Sequence, residues 1–526
     1  MSNPAEADQP LPHELVTEVM AHLDTLNRIT SEDFHRFKIG LSKKYSLPKV
    51  PPNSQILAAL PQDYRTRWTR LLRKKPSRTV SGVAPVAVMT SPAPCPHGRC
   101  RFCPGGPDSG TPQSYTGKEP AALRGAQHDF DPARQVMSRI EQLEAMGHSA
   151  EKVDLIVMGG TFPAREVDYQ TNFLLGCFNA LNGEASSTLE QAHLLNERAR
   201  YRCIGLTLET RPDCVCPETV ERMLSQGVTR IELGVQLLDD DILASVERGH
   251  GVDAVVEATR LLKDAGMKVC YHLMPGLPGV TAERDLKLFS RVFDESPFRP
   301  DMIKIYPMLV MEGTEIYRDW VDGRVEPLYE EEAVEMVARM KERVPRWVRI
   351  QRIERDIPSH CIGAGITKSN LRQMARDRLV ENDGHCNCIR CRESGRSQDD
   401  GSERGKYRLE ETTYKASGGT EVFIEALRGT DRLMGYCRLR FHTHITGEDR
   451  ATVRELKVVG RAVPLNRRED RTQQHRGMGS ALLARAEELS KDRGVQRLHV
   501  LSGVGVRSYY TDRGYTRVGP FMIKSL

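Results

Sequence analysis

The chain has 526 residues, 39% of them apolar, and a formal net charge of +5; that length exceeds one hydrophobic core and calls for three or four domains, and the near-balanced charge excludes a chain that grips nucleic acid with its whole surface. Its thirteen cysteines form no regular disulfide framework, and six fall in two tight groups, so metal ligation in a reducing compartment is the better reading. No apolar run reaches the length of a bilayer span, and MSNPAEADQP lacks the charged and apolar regions of a signal sequence, which predicts a cytoplasmic protein without a membrane partner.

Residues 13–40 carry Leu15, Val16, Val19, Met20, Leu23 and Leu26 at helical spacing and predict a small packed helix. A basic stretch follows: Lys43, Lys44 and Lys49, then Arg65, Arg67, Arg70, Arg73, Lys74, Lys75 and Arg78, with Asp63 the only acid between residues 61 and 80. Tyr64 and Trp68 lie among these cations, so the stretch offers phosphate partners and stacking faces together. A solvated basic face is the plain alternative. The density, the aromatics and the break at Pro48-Lys-Val-Pro-Pro52 favour an arm that binds RNA or DNA.

From residue 83 to about 355, short β-branched runs alternate with helical patterns, the signature of parallel strands joined by crossovers. Strands are expected at Val86–Thr90, Leu155–Gly159, Ile204–Thr210, Arg230–Gln236, Val269–Met274, Met302–Ile305 and Val348–Ile353, with helices such as Pro132–Met146, Val252–Ala265 and Glu330–Val344 between them. In such a barrel the ligand groups belong at the C-terminal ends of the strands. The loop after the first strand is Cys95-Pro-His-Gly-Arg-Cys100-Arg-Phe-Cys103-Pro-Gly-Gly106. Three thiolates hold three irons of a [4Fe–4S] cube and leave the fourth open to an exogenous ligand. A structural zinc knot needs a fourth ligand, for which the near candidate is His97, and three merely buried thiols are the remaining alternative. Other strand ends are also chemically loaded: Gly159-Gly160-Thr161, Glu209-Thr210-Arg211-Pro212-Asp213, Gln236, His272, and Lys304 with Tyr306.

A second metal group follows in Gly384-His385-Cys386-Asn-Cys388-Ile-Arg-Cys391, where three thiols in six residues suit tetrahedral zinc, with Cys361 the first choice of fourth ligand and His385 the second. A shell closed by four protein ligands makes that site structural, a staple ahead of the polar hinge 392–405. Beyond it, strand patterns at Glu421–Leu427, Leu433–Phe441 and Thr452–Val459 precede Gln474-His-Arg-Gly477-Met-Gly479-Ser480, which opens an amphipathic helix bearing Leu482, Leu483, Ala486 and Leu489. A glycine loop at a helix start aims backbone N–H groups and the positive dipole end at an anion such as a pyrophosphate. Glu455 reads either as a base or as a partner of Arg454.

The three-cysteine loop on a strand–helix repeat resembles the radical S-adenosylmethionine superfamily. Cys103-Pro-Gly-Gly-Pro-Asp-Ser109, Gln113-Ser-Tyr-Thr-Gly-Lys-Glu-Pro120, Met158-Gly-Gly-Thr-Phe162, Leu206-Thr-Leu-Glu-Thr-Arg-Pro-Asp213, Glu232-Leu-Gly-Val-Gln236 and Met274-Pro-Gly-Leu-Pro278 resemble the catalytic subunits of Elongator over nearly the whole chain. The glycine loop with Arg507-Ser-Tyr-Tyr510 is similar to the acetyl-coenzyme A site of GNAT acetyltransferases. Thr161 departs from the Glu common in the superfamily, and the first gap between cysteines has four residues where three is commonest.

The resemblance implies an α/β chain with a small helical basic region (1–80), a partial (β/α) barrel of radical S-adenosylmethionine type (81–375), a zinc-binding linker (376–404) and a mixed α/β acetyltransferase domain (405–526). It implies a [4Fe–4S] cluster on Cys95, Cys100 and Cys103. S-adenosylmethionine would sit at Gly159, Gly160, Glu209, Gln236 and Lys304. Acetyl-coenzyme A would sit at Glu455, Leu456, Val458, Gln474, His475, Arg476, Gly477, Met478, Gly479, Ser480, Tyr509 and Tyr510. Zinc would be held by Cys361, Cys386, Cys388 and Cys391. Tyr509 or Tyr510 would protonate the leaving thiolate, and Lys304 would serve the barrel site. The implied activity adds an acetyl radical to carbon 5 of the wobble uridine of tRNA and leaves 5-carboxymethyluridine. The anticodon stem-loop would be gripped by Lys43, Lys44, Arg65, Arg70, Arg73, Lys74, Lys75, Arg78 and, read as near the barrel rim, Lys268. An electron donor is a further implied partner, with a homodimer or accessory subunits left open. A second function class is a histone-like lysine acetyltransferase whose iron–sulfur site is only structural.

Overall fold

The computed structural model describes residues 10–25, 30–73, 79, 82–394, 407–442, 450–460 and 477–526, apart from the side chains of Ser31 and Arg70. Its centre is a parallel sheet of seven strands in the order β1-β2-β3-β4-β5-β6-β8: β1 (Ala84–Met89), β2 (Lys152–Met158), β3 (Arg202–Thr210), β4 (Arg230–Gln236), β5 (Lys268–Leu273), β6 (Met302–Ile305) and β8 (Arg349–Ile353). A two-stranded piece, β7 (Val310–Met311) with β9 (Ile362–Ala364), stands apart from it. Each predicted barrel strand forms, because β-branched residues alternate with smaller or polar ones. In β2, Val153, Leu155 and Val157 are fully buried against the helices, whereas Lys152, Asp154, Ile156 and Met158 face the concave side.

The N-terminal region differs from expectation in two ways. The pattern over 13–40 divides into α1 (His13–Asp24) and α2 (Ser31–Lys44), because Thr30 and Asp33 form a reciprocal cap that starts a new helix. The described part of the basic stretch is not an extended arm: Lys43 and Lys44 end α2, and Arg65, Arg67 and Arg70 fall on α4 (Gln62–Leu72), which with α3 (Asn53–Ala59) packs on α1 and α2 around Leu15, Val19, Phe34, Ile56 and Leu72. Tyr64 and Trp68 pack against that core, and Tyr64 donates to Asp24, so their faces are turned inward. Arg73 Nε donates to Gly147 O at 2.8 Å, which docks the bundle on the turn leading into β2.

The C-terminal unit is a mixed sheet in the order β10-β11-β12-β13-β14-β16-β15: β10 (Arg408–Ala416), β11 (Gly419–Arg428), β12 (Arg432–Phe441), β13 (Arg450–Val458), β14 (Arg497–Val500), β15 (Thr516–Val518) and β16 (Phe521–Ser525). Only β13 and β14 pair in parallel, and the helix Met478–Lys491 makes the crossover between them. This unit is fused to the barrel. Leu501 and Val504 belong to the barrel's own core cluster, and a Cβ on Gly503 would fall 2.1 Å from Ile204 O. A buried ionic seam runs beside that contact. Arg454 Nη1 donates to Asp301 Oδ2 at 2.9 Å and to Met267 O at 2.7 Å, Arg440 pairs with Asp264 at 2.6 Å, and Lys263 lies 3.8 Å from Asp301.

Candidate functional site

At the C-terminal ends of the barrel strands a cavity of about 1130 Å³, open to solvent on one side, is lined by Cys95, Cys100 and Cys103 together with Gly160, Glu209, Glu232, Gln236, His272 and Lys304. The loop after β1 thus delivers all three thiols to one place, each facing its own polar group: Gln113 Nε2 donates to Cys103 Sγ at 3.0 Å, Arg248 Nη1 to Cys100 Sγ at 3.5 Å, and Thr161 Oγ1 lies 3.6 Å from Cys95 Sγ. Such donors stabilise the electron-rich sulfurs of a cluster, so the residues present fit a three-thiolate cube. His97 Nε2 accepts from Arg211 at 3.0 Å and lies 3.2 Å from Cys100 Sγ, and burial with Arg211 and Arg248 pushes its pKa down to about 4.

Around the thiols the strand ends supply a charged rim. Glu209 accepts from Tyr115 Oη at 2.7 Å. Glu232 accepts from His272 Nε2 at 2.8 Å and from Lys304 Nζ. Burial alone would lift the Glu232 pKa, but Lys304, His272 and Arg230 outweigh it and hold the carboxyl ionised. Burial likewise opposes the charge on Lys304, and Glu232 more than restores it. Gln236 sits at φ 69°, a left-handed conformation at the end of β4 that faces its side chain into the cavity. Gly160 lines the cavity, whereas Gly159 is a packing position, since a Cβ there would meet Thr90 Oγ1 at 2.1 Å. Sequence reasoning missed Gln113, Arg248 and Glu232. Of these Glu232 was legible, since alternation places 232, 234 and 236 on one face of β4.

A second cavity, about 880 Å³ including its open part, lies at the opposite ends of the same strands. It is walled by Lys152, Asp154, Arg230 and Lys268 of the barrel and by Glu455, Leu456, Lys457, Val458 and Tyr510 of the C-terminal unit. Lys268 therefore stands on the floor of the barrel and not near the cluster rim, because it begins β5 whereas ligand groups gather where strands end. Burial draws its pKa down to about 8, against the pull of Glu455. Glu455 does not pair with Arg454: Arg438 Nε donates to it at 2.9 Å and Tyr436 Oη at 3.0 Å, while Arg454 is taken by Asp301 and Glu421. Burial opposes the charge on Glu455, but Arg438, Lys268 and Lys457 hold its pKa below the ordinary range, which leaves it a poor base.

Gly477 caps the helix Met478–Lys491 at φ 84°, and Gly479 leaves room for Tyr509, whose Oη would lie 2.9 Å from a Cβ there. Among the described residues Tyr509 Oη is buried without a hydrogen-bond partner, and Arg513 stacks over its ring at 3.6 Å while donating to Ser480 Oγ at 2.9 Å. Tyr510 packs edge-on between Tyr509 and Tyr515, and burial raises its pKa. Gln474, His475 and Arg476 lie outside the described residues, as do Lys74, Lys75, Arg78 and the side chain of Arg70. Of the other expected tRNA contacts, Lys43 is exposed, Lys44 pairs with Glu18 at 2.6 Å, and Arg65 Nε donates to Leu60 O at 2.8 Å.

The thiols of Cys386, Cys388 and Cys391 lie within 4.8 Å of one another, close enough to share a single ion. Cys361 and His385 are not among the groups within that distance of all three thiols.

A parallel half-barrel with a three-thiol loop at its C-terminal rim defines a radical S-adenosylmethionine protein. Residues 91–291 match that superfamily, residues 300–381 match its C-terminal domain, and residues 13–80 match the ELP3 N-terminal domain. The chain is 45% identical over 519 residues to the tRNA uridine(34) acetyltransferase of Methanocaldococcus infernus, covering 95% of both chains. It is 40% identical over 511 residues to Elongator complex protein 3 of Homo sapiens, covering 94% of this chain and 93% of the relative. The solved structure of the archaeal Methanocaldococcus infernus Elp3, with residues 1–46 deleted, superposes with a TM-score of 0.74 at 41% identity, over 85% of this chain and 100% of that one. The chain belongs to the family of Elongator complex protein 3 and the tRNA uridine(34) acetyltransferases.

Proposed function

We propose that the protein modifies the wobble uridine of tRNA, using a [4Fe–4S] cluster on Cys95, Cys100 and Cys103, S-adenosylmethionine and acetyl-coenzyme A to form 5-carboxymethyluridine. The observation that carries this reading is the convergence of three thiols, each with a polar partner, on one open cavity in a chain so similar to tRNA uridine(34) acetyltransferases. When bound, the cluster and S-adenosylmethionine would supply an adenosyl radical able to take hydrogen from the methyl group of acetyl-coenzyme A; the acetyl carbon would bond carbon 5 of the base, which would give up its proton and return one electron to the cluster, and water would hydrolyse the thioester to leave the carboxymethyl group and the free thiol.

The chain's own residues do the rest. Lys304, held cationic against Glu232, offers a fixed positive charge to a carboxylate or phosphate in the rim cavity, and Gln236 and Glu209 offer an amide and a second carboxylate. Tyr509, whose hydroxyl has no partner among the described residues, would give its proton to the thiolate released when the thioester is hydrolysed, whereas Tyr510 is a packing residue of the floor cavity. Gly477 to Ser480 would cradle the coenzyme's pyrophosphate at the helix start. The Cys386 group holds a structural zinc between the barrel and the C-terminal unit, and Lys43 with neighbouring cations of the helical bundle meets tRNA phosphates.

The test is anaerobic reconstitution with tRNA, acetyl-coenzyme A and S-adenosylmethionine, followed by nucleoside mass spectrometry. Cys100→Ser should abolish carboxymethyluridine and leave the unfolding midpoint near that of the parent. Carboxymethyluridine formed without any cluster, or acetyl transfer to a lysine peptide that ignores S-adenosylmethionine as the sole activity, would overturn it.

A further inference from the structure

One titratable side chain of the rim cavity has no assigned role in the function proposed above. Alternation along β5 turns Tyr271 outward, where it is fully buried and bonded to Thr259 of the helix Val252–Asp264. The next residue, His272, turns inward and lines the cavity that also holds Cys95, Cys100 and Cys103. Its ring is held on two sides: Nε2 lies 2.8 Å from Glu232 Oε2, and Tyr306 meets the ring edge-on at 5.5 Å. Glu232 is 2% exposed, too deep to meet a ligand. Its ionised carboxylate can only accept, which puts the proton of the neutral ring on Nε2. Nδ1 then carries the lone pair, and among the described residues it has no hydrogen-bond partner. Lys304 from β6, and Arg230 at 3.7 Å from the other oxygen, hold that carboxylate in place. Other proton acceptors of the cavity are already engaged: Lys304 is held cationic, Glu209 accepts from Tyr115, and Asp356 pairs with Arg352. A ring with one nitrogen fixed by a buried carboxylate and the other left open is built as an oriented base.

We propose that His272 is the general base of the reaction, taking the proton that carbon 5 of the uridine gives up once the acetyl carbon has bonded to it. The proposal rests on the function proposed above. In this step the carbon 5–hydrogen bond breaks and its proton goes to Nδ1. Of the three electrons held by that bond and by the radical at carbon 6, two close the 5,6 double bond and one returns to the cluster. The imidazolium so formed keeps its Nε2–H on the Glu232 carboxylate, and the new proton leaves through the open side of the cavity. Glu232, which touches no substrate, is the positioning residue that fixes the ring.

The experiment is an anaerobic single turnover with tRNA, acetyl-coenzyme A and S-adenosylmethionine, in which 5′-deoxyadenosine and carboxymethyluridine are counted in the same samples. It compares the parent with His272→Gln, whose amide can still donate to Glu232 but has no basic nitrogen. In the variant 5′-deoxyadenosine should stay within about threefold of the parent while carboxymethyluridine falls about 100-fold or more, because the proton is lost after the adenosyl radical has reacted. Deuterium at carbon 5 of the uridine should slow the variant more than the parent, and freeze-quenched samples of the variant should show the waiting organic radical by electron paramagnetic resonance; a packing role would produce neither. Should the glutamine variant fail to fold, His272→Ala decides: imidazole entering the gap from solvent should restore carboxymethyluridine by about tenfold, and no rescue overturns the base. Carboxymethyluridine within about threefold of the parent in His272→Gln, an equal loss of both products, or deuterium that slows the variant no more than the parent also overturns it. A parent that makes no carboxymethyluridine brings down the function proposed above, whereas a parent that makes it and a variant that matches it remove the base alone.

Discussion

Asp301→Asn is the sharpest test of how the two halves are joined. The seam sets four buried cations, Lys263, Arg438, Arg440 and Arg454, against the carboxylates of Asp264, Asp301, Glu421 and Glu455, with the half-exposed Arg260 also on Asp264 at 3.5 Å. Asp301 is 0% exposed and faces Arg454, Lys263 at 3.8 Å and Arg438 at 3.6 Å. Asparagine keeps the shape and can still accept from Val269 N, so no cavity is made; what changes is one unit of uncompensated positive charge. An exposed pair would cost about 1 kcal/mol or less. A buried one leaves charge stranded, so the expected loss is about 3–5 kcal/mol. Trp347, stacked on Tyr414 at 4.4 Å across this interface, reports the transition by fluorescence in urea. Pairing the change with Arg454→Met should recover part of the loss, about 1–3 kcal/mol of coupling. A cost near 1 kcal/mol, or strict additivity in the double variant, would refute the view of the seam as a neutralised ionic core.

Four further outcomes follow from single sites. Asp285 is buried, and burial lifts its pKa to about 6, so the folded protein holds that proton more tightly than the unfolded chain; stability should fall as pH rises from about 4 to about 6, and Asp285→Asn should abolish that fall and add about 2 kcal/mol above pH 6, read from urea midpoints across pH. Gly503→Ala sets a Cβ 2.1 Å from Ile204 O, a backbone atom, and should cost about 3 kcal/mol or more or part the two units, seen as a second unfolding transition. Gln113→Leu removes the 3.0 Å donor to Cys103 Sγ and should make the cluster harder to reduce, measured by redox titration with electron paramagnetic resonance. Lys43→Ala should weaken tRNA binding and lower the salt slope by about one, with no change in the cluster's spectrum.

Much of the barrel was readable because its strands obey a two-residue period and its ligands sit where parallel strands end. The expected Arg230–Gln236 and Met302–Ile305 match the observed strands residue for residue, and the others differ by one to three positions at their ends. The N-terminal helix break was also written in Thr30-Ser-Glu-Asp33, but a continuous apolar pattern hid it. In α4 the number of cations masked the helical spacing of Tyr64, Trp68 and Leu72, so a packed helix read as a free arm. Lys268 was misplaced by counting it with the rim when its position at the start of a strand puts it on the floor. Arg248 reaches Cys100 from a turn 148 residues away, and no local pattern signals such a contact.

The glycine contact at Gly503 and the ionic seam pack the barrel directly against the C-terminal unit among the described residues. A substitution on either side of that seam is therefore felt by the unit opposite, so the two halves should melt together and not in turn.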